Sequence, residues 1–226
     1  MDKRAIIFGS IGTIVETSAM QREAFNQSFA EADLDWHWSE EEYISLLKKS
    51  GGRQRIADYA NAKDADVSAS ALHNRKTEIF NEMMVKEGLK PRPGVLPLIR
   101  FAKEQDMKLG FATTTSNNNI CAIFDALEGA LHRSTFDFVG DADEVAKSKP
   151  DPEIYYRAMT ALTVNADQCL AIEDTAVSMQ AATAAGIACV AFPGAYAGAN
   201  NFEDAYRIVD QLDPHLLPVL TSDAER

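Results

Sequence analysis

Three positions with usable chemistry stand at the ends of apolar runs: Thr113 after "KLGFA", Lys149 just ahead of Pro150, and the carboxylate pair Glu173-Asp174 after "CLAI". A hydroxyl and an ammonium together hold a phosphoryl group, one as hydrogen-bond donor and the other as point charge. Thr114 adds a second hydroxyl beside the first. Two adjacent carboxylates at a strand end suit a hard cation such as magnesium. Singly, each feature has a plainer reading: a helix cap, a solvated lysine, an acidic pair complementing a helix dipole. A fourth run, "IIFGSIGTIVET" from Ile6 to Thr17, is shaped like a loop that delivers catalytic groups, yet it has no charge before Glu16.

These positions need elements to hold them together. Ala5–Phe8 reads as a short buried strand, and after "PRPGV" (91–95) strands and helices alternate. "KLGFATT", "FDFVG", "QCLAIED" and "IACVAFP" read as strands; "LPLIRFAKEQD", "NNNICAIFDAL", "PDPEIYYRAMTAL" and "AVSMQAATAAG" read as helices. Alternation of this kind predicts an α/β fold, a doubly wound parallel sheet, with sites at the carboxyl ends of its strands. Residues 17–88 carry only helical patterns. Met20, Phe25, Phe29 and Ala30 can share one face, Ser39 caps "EEEYISLL", and Gly51-Gly52 reads as a helix stop. The expected organisation is a core domain of 1–16 and 89–226 with a helical domain, 17–88, inserted. The tail beyond Asp213 reads as a loose end or a short packing segment.

Composition narrows the partners. A net charge of −12 over 226 residues leaves no basic face for nucleic acid or an anionic membrane. No apolar run approaches the roughly 18 residues that a membrane span needs, and the start shows no signal-peptide pattern, so the expected location is cytoplasmic. Cys121, Cys169 and Cys189 fit neither a disulfide framework nor a zinc site and read as reduced core thiols. "DLDWHW" places His37 between Trp36 and Trp38, which reads as helical-domain core rather than a metal site.

Taken in order, Phe8–Thr13, Thr113, Lys149 and Glu173-Asp174 resemble motifs I to IV of the haloacid dehalogenase superfamily of phosphohydrolases. The resemblance spans nearly the whole chain. "PRPGV" resembles the family's re-entry from an inserted helical cap, and "AATAAGI" its stretch after motif IV. "REAFNQSFAEADLDWHWSEEEY" followed by "LLKKSGGRQRI" resembles the CbbY-type branch, in the group of phosphoglycolate phosphatases and β-phosphoglucomutases. That branch is linked to sugar phosphates and, in characterised members, to xylulose 1,5-bisphosphate. The resemblance implies Mg2+ as cofactor, with Glu173 and Asp174 as ligands, and phosphate held by Thr113, Thr114 and Lys149. It also implies a substrate loop in the cap at Gly52, Arg53 and Arg55, where the arginines could meet a second phosphate.

Against the family pattern, motif I is degenerate. Its first aspartate, the nucleophile and a metal ligand, falls at Gly9; its second, the general acid and base, falls at Ile11. Glycine has nothing to attack phosphorus with, and isoleucine cannot move a proton. Ser18, Gln21 and Ser178 replace the Glu, His and Gly often found there. The expectation is a catalytically impaired or inactive relative that binds a phosphorylated small molecule. The rivals are a phosphatase working by a non-standard route and a non-catalytic protein-interaction module. Charge counting adds one expectation. Two carboxylates and one lysine carry the same net charge as the family's four carboxylates, lysine and divalent cation, so Lys149 should pair with Glu173 or Asp174 in the ion's place, and magnesium binding is doubtful.

Overall fold

The structure, a computed structural model, describes residues 4–9, 11–47, 51–127, 129–197 and 201–214. The chain forms two compact units, one of 1–16, 89–194 and 200–226 and the other of 17–88 and 195–199.

In the first unit, the strands are β1 (Ala5–Phe8), β2 (Lys108–Ala112), β3 (Phe138–Gly140), β4 (Cys169–Glu173), β5 (Ala188–Ala191) and β6 (Arg207–Ile208). They form one parallel sheet in the order β3-β2-β1-β4-β5-β6. β1 has no exposed surface at any of its four residues, which is why it reads as an unbroken apolar run rather than an alternating one. The register sets Phe8 level with Phe111 on one side and Ile172 on the other. The chain winds outward in both directions from β1, so the crevice between β1 and β4 is the switch point, where such sheets bind ligands. Gly9 follows the first of these strands directly, and Glu173 ends the second.

The first unit's helices are α1 (Ile11–Ile14), α6 (Val95–Glu104), α7 (Asn117–Ala126), α8 (Glu153–Leu162) and α9 (Ala176–Ala184); α2 to α5 belong to the second unit. β2 stops at Ala112, so Thr113 and Thr114 lie just past the strand rather than inside it. Pro152 stands at the N-cap of α8, and the prolines precede the helix instead of filling its first turn. β6 has no counterpart in the sequence reading. Cys169 and Cys189 are buried, and burial pushes the Cys169 thiol up to about 12. Cys121 is exposed, which corrects its expected place in the core; all three are free thiols. The expectation for the end of the tail falls outside the described residues.

The second unit contains α2 (Ser18–Glu31), α3 (Glu40–Leu46), α4 (Gly52–Ala62) and α5 (Ala69–Glu87). Its core is aromatic: Phe25, Phe29, Trp36, Trp38 and Tyr43 pack together with Ile56. Trp36 and Trp38 are buried here while His37 is exposed. Asn26 pins this segment by accepting from the Trp38 amide at 2.8 Å and donating to its carbonyl at 3.1 Å. The buried stripe of α2 runs through Ala24, Phe25 and Phe29; Ala30 is exposed, because helical spacing alone does not say where the stripe is centred. Ser39 caps α3 as expected, accepting from the Glu42 amide at 3.2 Å. Gly51 and Gly52 start α4 rather than ending α3, with Gly51 as the N-cap at φ +94°. No helix among the described residues is long and apolar enough to cross a membrane.

Candidate functional site

Lys149 is attached through a cis bond to Pro150 and is buried. Its Nζ donates to Oε1 of Glu173 and to the carbonyl of Gly9. The Tyr155 hydroxyl, from the first turn of α8, donates to the same Glu173 oxygen at 2.5 Å. The ammonium also lies 4.9 Å from the centre of the Tyr155 ring. Lys149, Glu173, Tyr155 and Gly9 therefore form one buried polar knot at the β1/β4 switch point. Burial pushes the Glu173 carboxyl up, and the facing Lys149 charge opposes that shift. Burial, and then the charge of Glu173, push the Tyr155 phenol well up, so it is a donor and not a phenolate.

Gly9 is part of this knot through what it lacks. A Cβ built on it would fall inside contact distance of Glu173 Oε1 and Tyr155 Oη. The glutamate head and the phenol thus fill the space into which a side chain at position 9 would project. A Cβ on Gly12 would similarly meet the Asp174 carboxylate. Ile11 opens α1, and its carbonyl accepts from the Val15 amide at 2.9 Å.

Arg92 was not singled out by sequence reasoning. Its guanidinium donates to the carbonyls of Gly12 at 2.6 Å, Phe192 at 2.8 Å and Pro193 at 2.6 Å. It also stacks 3.4 Å from the centre of the Phe192 ring. It ties the loop after β1 to the segment after β5. Thr113 is buried, and its Oγ1 accepts from the Thr115 amide at 3.2 Å, which leaves its hydroxyl hydrogen to donate. Thr114 is half-buried beside it. After Asp174, Thr175 caps α9 by accepting from the Ser178 amide at 3.2 Å.

Magnesium completes its six oxygens largely with water and phosphate and is held by one or two carboxylates, so the test is whether the carboxylates here are turned to an ion. Of positions 9, 11, 173 and 174, only Glu173 and Asp174 carry a carboxylate. Glu173 Oε1 and the Gly9 carbonyl already accept from Lys149, and Glu173 Oε2, buried, has no hydrogen-bond partner. Among the described residues no group of three or more metal-ligating side chains converges. These residues do not fit the ion.

The second unit holds a separate group of basic side chains. Lys76, on α5, is buried, with its Nζ 4.8 Å from the ring centres of both Phe25 and Phe80. Its hydrogen-bond acceptor is the side-chain carbonyl of Gln21. Desolvation, and then the charge of Arg55, pull it down from 10.5 to about 7. Burial also lowers His73, with Lys76, Arg53 and Arg55 acting in the same direction. Gly52 lets the start of α4 lie against His73, since a Cβ there would come within 2.7 Å of His73 Nε2. Arg53 is exposed. Arg55 is buried; its Nε donates to the Leu46 carbonyl at 3.0 Å, and its guanidinium lies 5.6 Å from the Tyr43 ring centre. Gly52, Arg53 and Arg55 are thus the first turn of a helix, not a loop. Lys76 and His73 join them, and no feature of the α5 sequence pattern marks either residue.

Lys76 gives a sign-definite pH dependence. Its folded value lies below its unfolded one, so the unfolded chain holds more protons between about pH 7 and pH 10.5. Its contribution to stability should therefore rise with pH across that window, by at most about 1.4 kcal/mol per unit. Urea unfolding at pH 7, 8 and 9 should show this slope in the parent and lose it in Lys76→Met. Parallel profiles for the two proteins would contradict the assignment.

The model of the haloacid dehalogenase-like hydrolases matches residues 6–192. Protein CbbY of Cereibacter sphaeroides is 38% identical over 209 residues, which cover 91% of this chain and 91% of that protein. The crystal structure of CbbY from Rhodobacter sphaeroides in complex with phosphate superposes with a TM-score of 0.85 at 37% identity, covering 97% of this chain and 99% of the other. A variant of that protein in complex with xylulose 1,5-bisphosphate gives 0.83 at 37% identity, over 92% and 94% of the two chains. With the motif order, the sheet order and these likenesses in agreement, the chain belongs to the haloacid dehalogenase-like hydrolases and, within them, to the CbbY type.

Proposed function

We propose that this chain is a CbbY-type protein that binds a phosphorylated small molecule, a sugar phosphate, and does not hydrolyse it by the family's covalent route. The observation that carries the reading is the content of position 9: no carboxylate, and its space taken by Glu173 and Tyr155. The residues suited to an anion are still there. In this reading Thr113 and Thr114 donate hydroxyls, and Lys149, which has three hydrogens and spends two on Glu173 and Gly9, gives its third. Residues 17–88 act as the family's cap, and Arg53 and Arg55, at the helix start that Gly52 opens and beside His73 and Lys76, form a second basic group able to take phosphate. Arg53 is its accessible member, and Arg55 supports the helix start. The relatives' complexes with phosphate and xylulose 1,5-bisphosphate support the ligand class.

Calorimetric titration with inorganic phosphate and with xylulose 1,5-bisphosphate tests this. Saturable binding without release of phosphate is the expected result. Thr113→Val, which removes one donor and keeps the shape, should weaken phosphate binding roughly tenfold. No binding at millimolar ligand, or equal affinities for parent and Thr113→Val, would overturn the assignment.

A further inference from the structure

We infer that the chain does without the divalent cation of its family: the Lys149 ammonium, held by Glu173 and the Gly9 carbonyl, is the one cation the site needs and makes it independent of metal. The argument begins with space. The head of Glu173 reaches the volume that a side chain at position 9 would need, and Tyr155 holds it there from the other side. That placement brings Glu173 Oε1 within reach of Lys149 and directs the ammonium at the Gly9 carbonyl.

Electrostatics then acts against a second cation. A divalent ion beside this knot would face an ammonium already committed to the best carboxylate oxygen. It would also have to shed water, which magnesium does reluctantly, to gain few fixed oxygen ligands in exchange. Glu173 Oε2 is one open oxygen and not a coordination sphere. Asp174 is packed against the backbone of Gly12, where a Cβ could not fit. An ammonium fixed in the fold supplies positive charge without an ion-binding equilibrium. A phosphate arriving at Thr113 and Lys149 would meet that charge whether or not metal is present.

The metal arm of the test needs no ligand. Mg2+ alone is titrated into the full chain, followed by calorimetry and by melting temperature. No saturable heat and no change in Tm up to millimolar Mg2+ is the expected outcome. Saturable micromolar binding, lost in Asp174→Ala, would overturn the inference. A second arm rests on the phosphate-binding reading: the Tm shift with inorganic phosphate should be the same in EDTA and in Mg2+, and a shift that EDTA abolishes would overturn the inference while leaving phosphate binding intact. In Lys149→Ala the freed carboxylate should make Tm rise with millimolar Mg2+. A folded variant as indifferent as the parent would show that the ammonium is not what excludes the metal. Should that variant not fold, the Mg2+ titration of the parent decides alone.

Discussion

Hydrolysis of a phosphoester by the unmodified chain should lie at background. In an enzyme of another family that works through a covalent intermediate, loss of the nucleophile costs on the order of 10⁶ in rate, and on the proposed reading the acid/base group is absent as well. Restoring the two carboxylates should not be enough. Gly9→Asp drives a side chain into space held by Glu173 and Tyr155, and places a second buried carboxylate against the first. Overpacking of this kind costs about 1–3 kcal/mol before the charge repulsion is added. Gly9→Asp with Ile11→Asp should therefore lower the melting temperature and return little activity. Adding Tyr155→Phe removes the hydroxyl that holds Glu173 in place, and the triple variant is where turnover should first become measurable. A steady-state assay of phosphate release from a small sugar phosphate separates these cases. Clear turnover by the parent chain, abolished by Asp174→Ala, would refute the reading of an impaired enzyme.

The sheet was legible because its strands are buried on both faces and the segments between them are helical. "AIIF" and "CLAI" need no partner to be read as interior strands. The two-residue β6, Arg207–Ile208, has exposed side chains and no apolar pattern, so only its pairing with β5 reveals it. Gly51-Gly52 misled for a physical reason: glycine relieves the backbone at either end of a helix, and sequence does not say which. The candidate site was partly legible. Charge balance alone pointed to a Lys149 pair, and the structure supplies Glu173 as the partner. Tyr155 was not legible, because an aromatic residue in the first turn of an apolar helix reads as core. Its hydroxyl matters only through contact with Glu173, 18 positions later. Arg92 and Lys76 stayed hidden for the same reason. The carbonyls around one and the rings around the other come from distant segments, and a single sequence does not encode those meetings locally.

Sequence reasoning gives Lys149 both a phosphate and a carboxylate to hold; the structure shows the carboxylate contact, and the two roles can be separated. Lys149→Met should destabilise the chain by about 3–5 kcal/mol, because it leaves Glu173 charged, buried and without its counterion. For a chain of this size that corresponds to a fall in melting temperature of roughly 2–4 °C per kcal/mol. Glu173→Leu alone should cost a comparable amount by stranding the ammonium. The double variant, Lys149→Met with Glu173→Leu, should recover most of the loss, since apolar groups of similar volume replace a buried pair at little cost. A coupling energy of several kcal/mol across this cycle would mark the pair as a unit. Phosphate affinity should follow a different pattern: absent in both variants that lack Lys149, with no recovery in the double. If Lys149→Met melts with the parent, the ammonium does not support the fold, and the burial of Glu173 must be balanced by Tyr155 and the backbone around it. The stability cycle and the affinity pattern share only Lys149, so each can fail without the other.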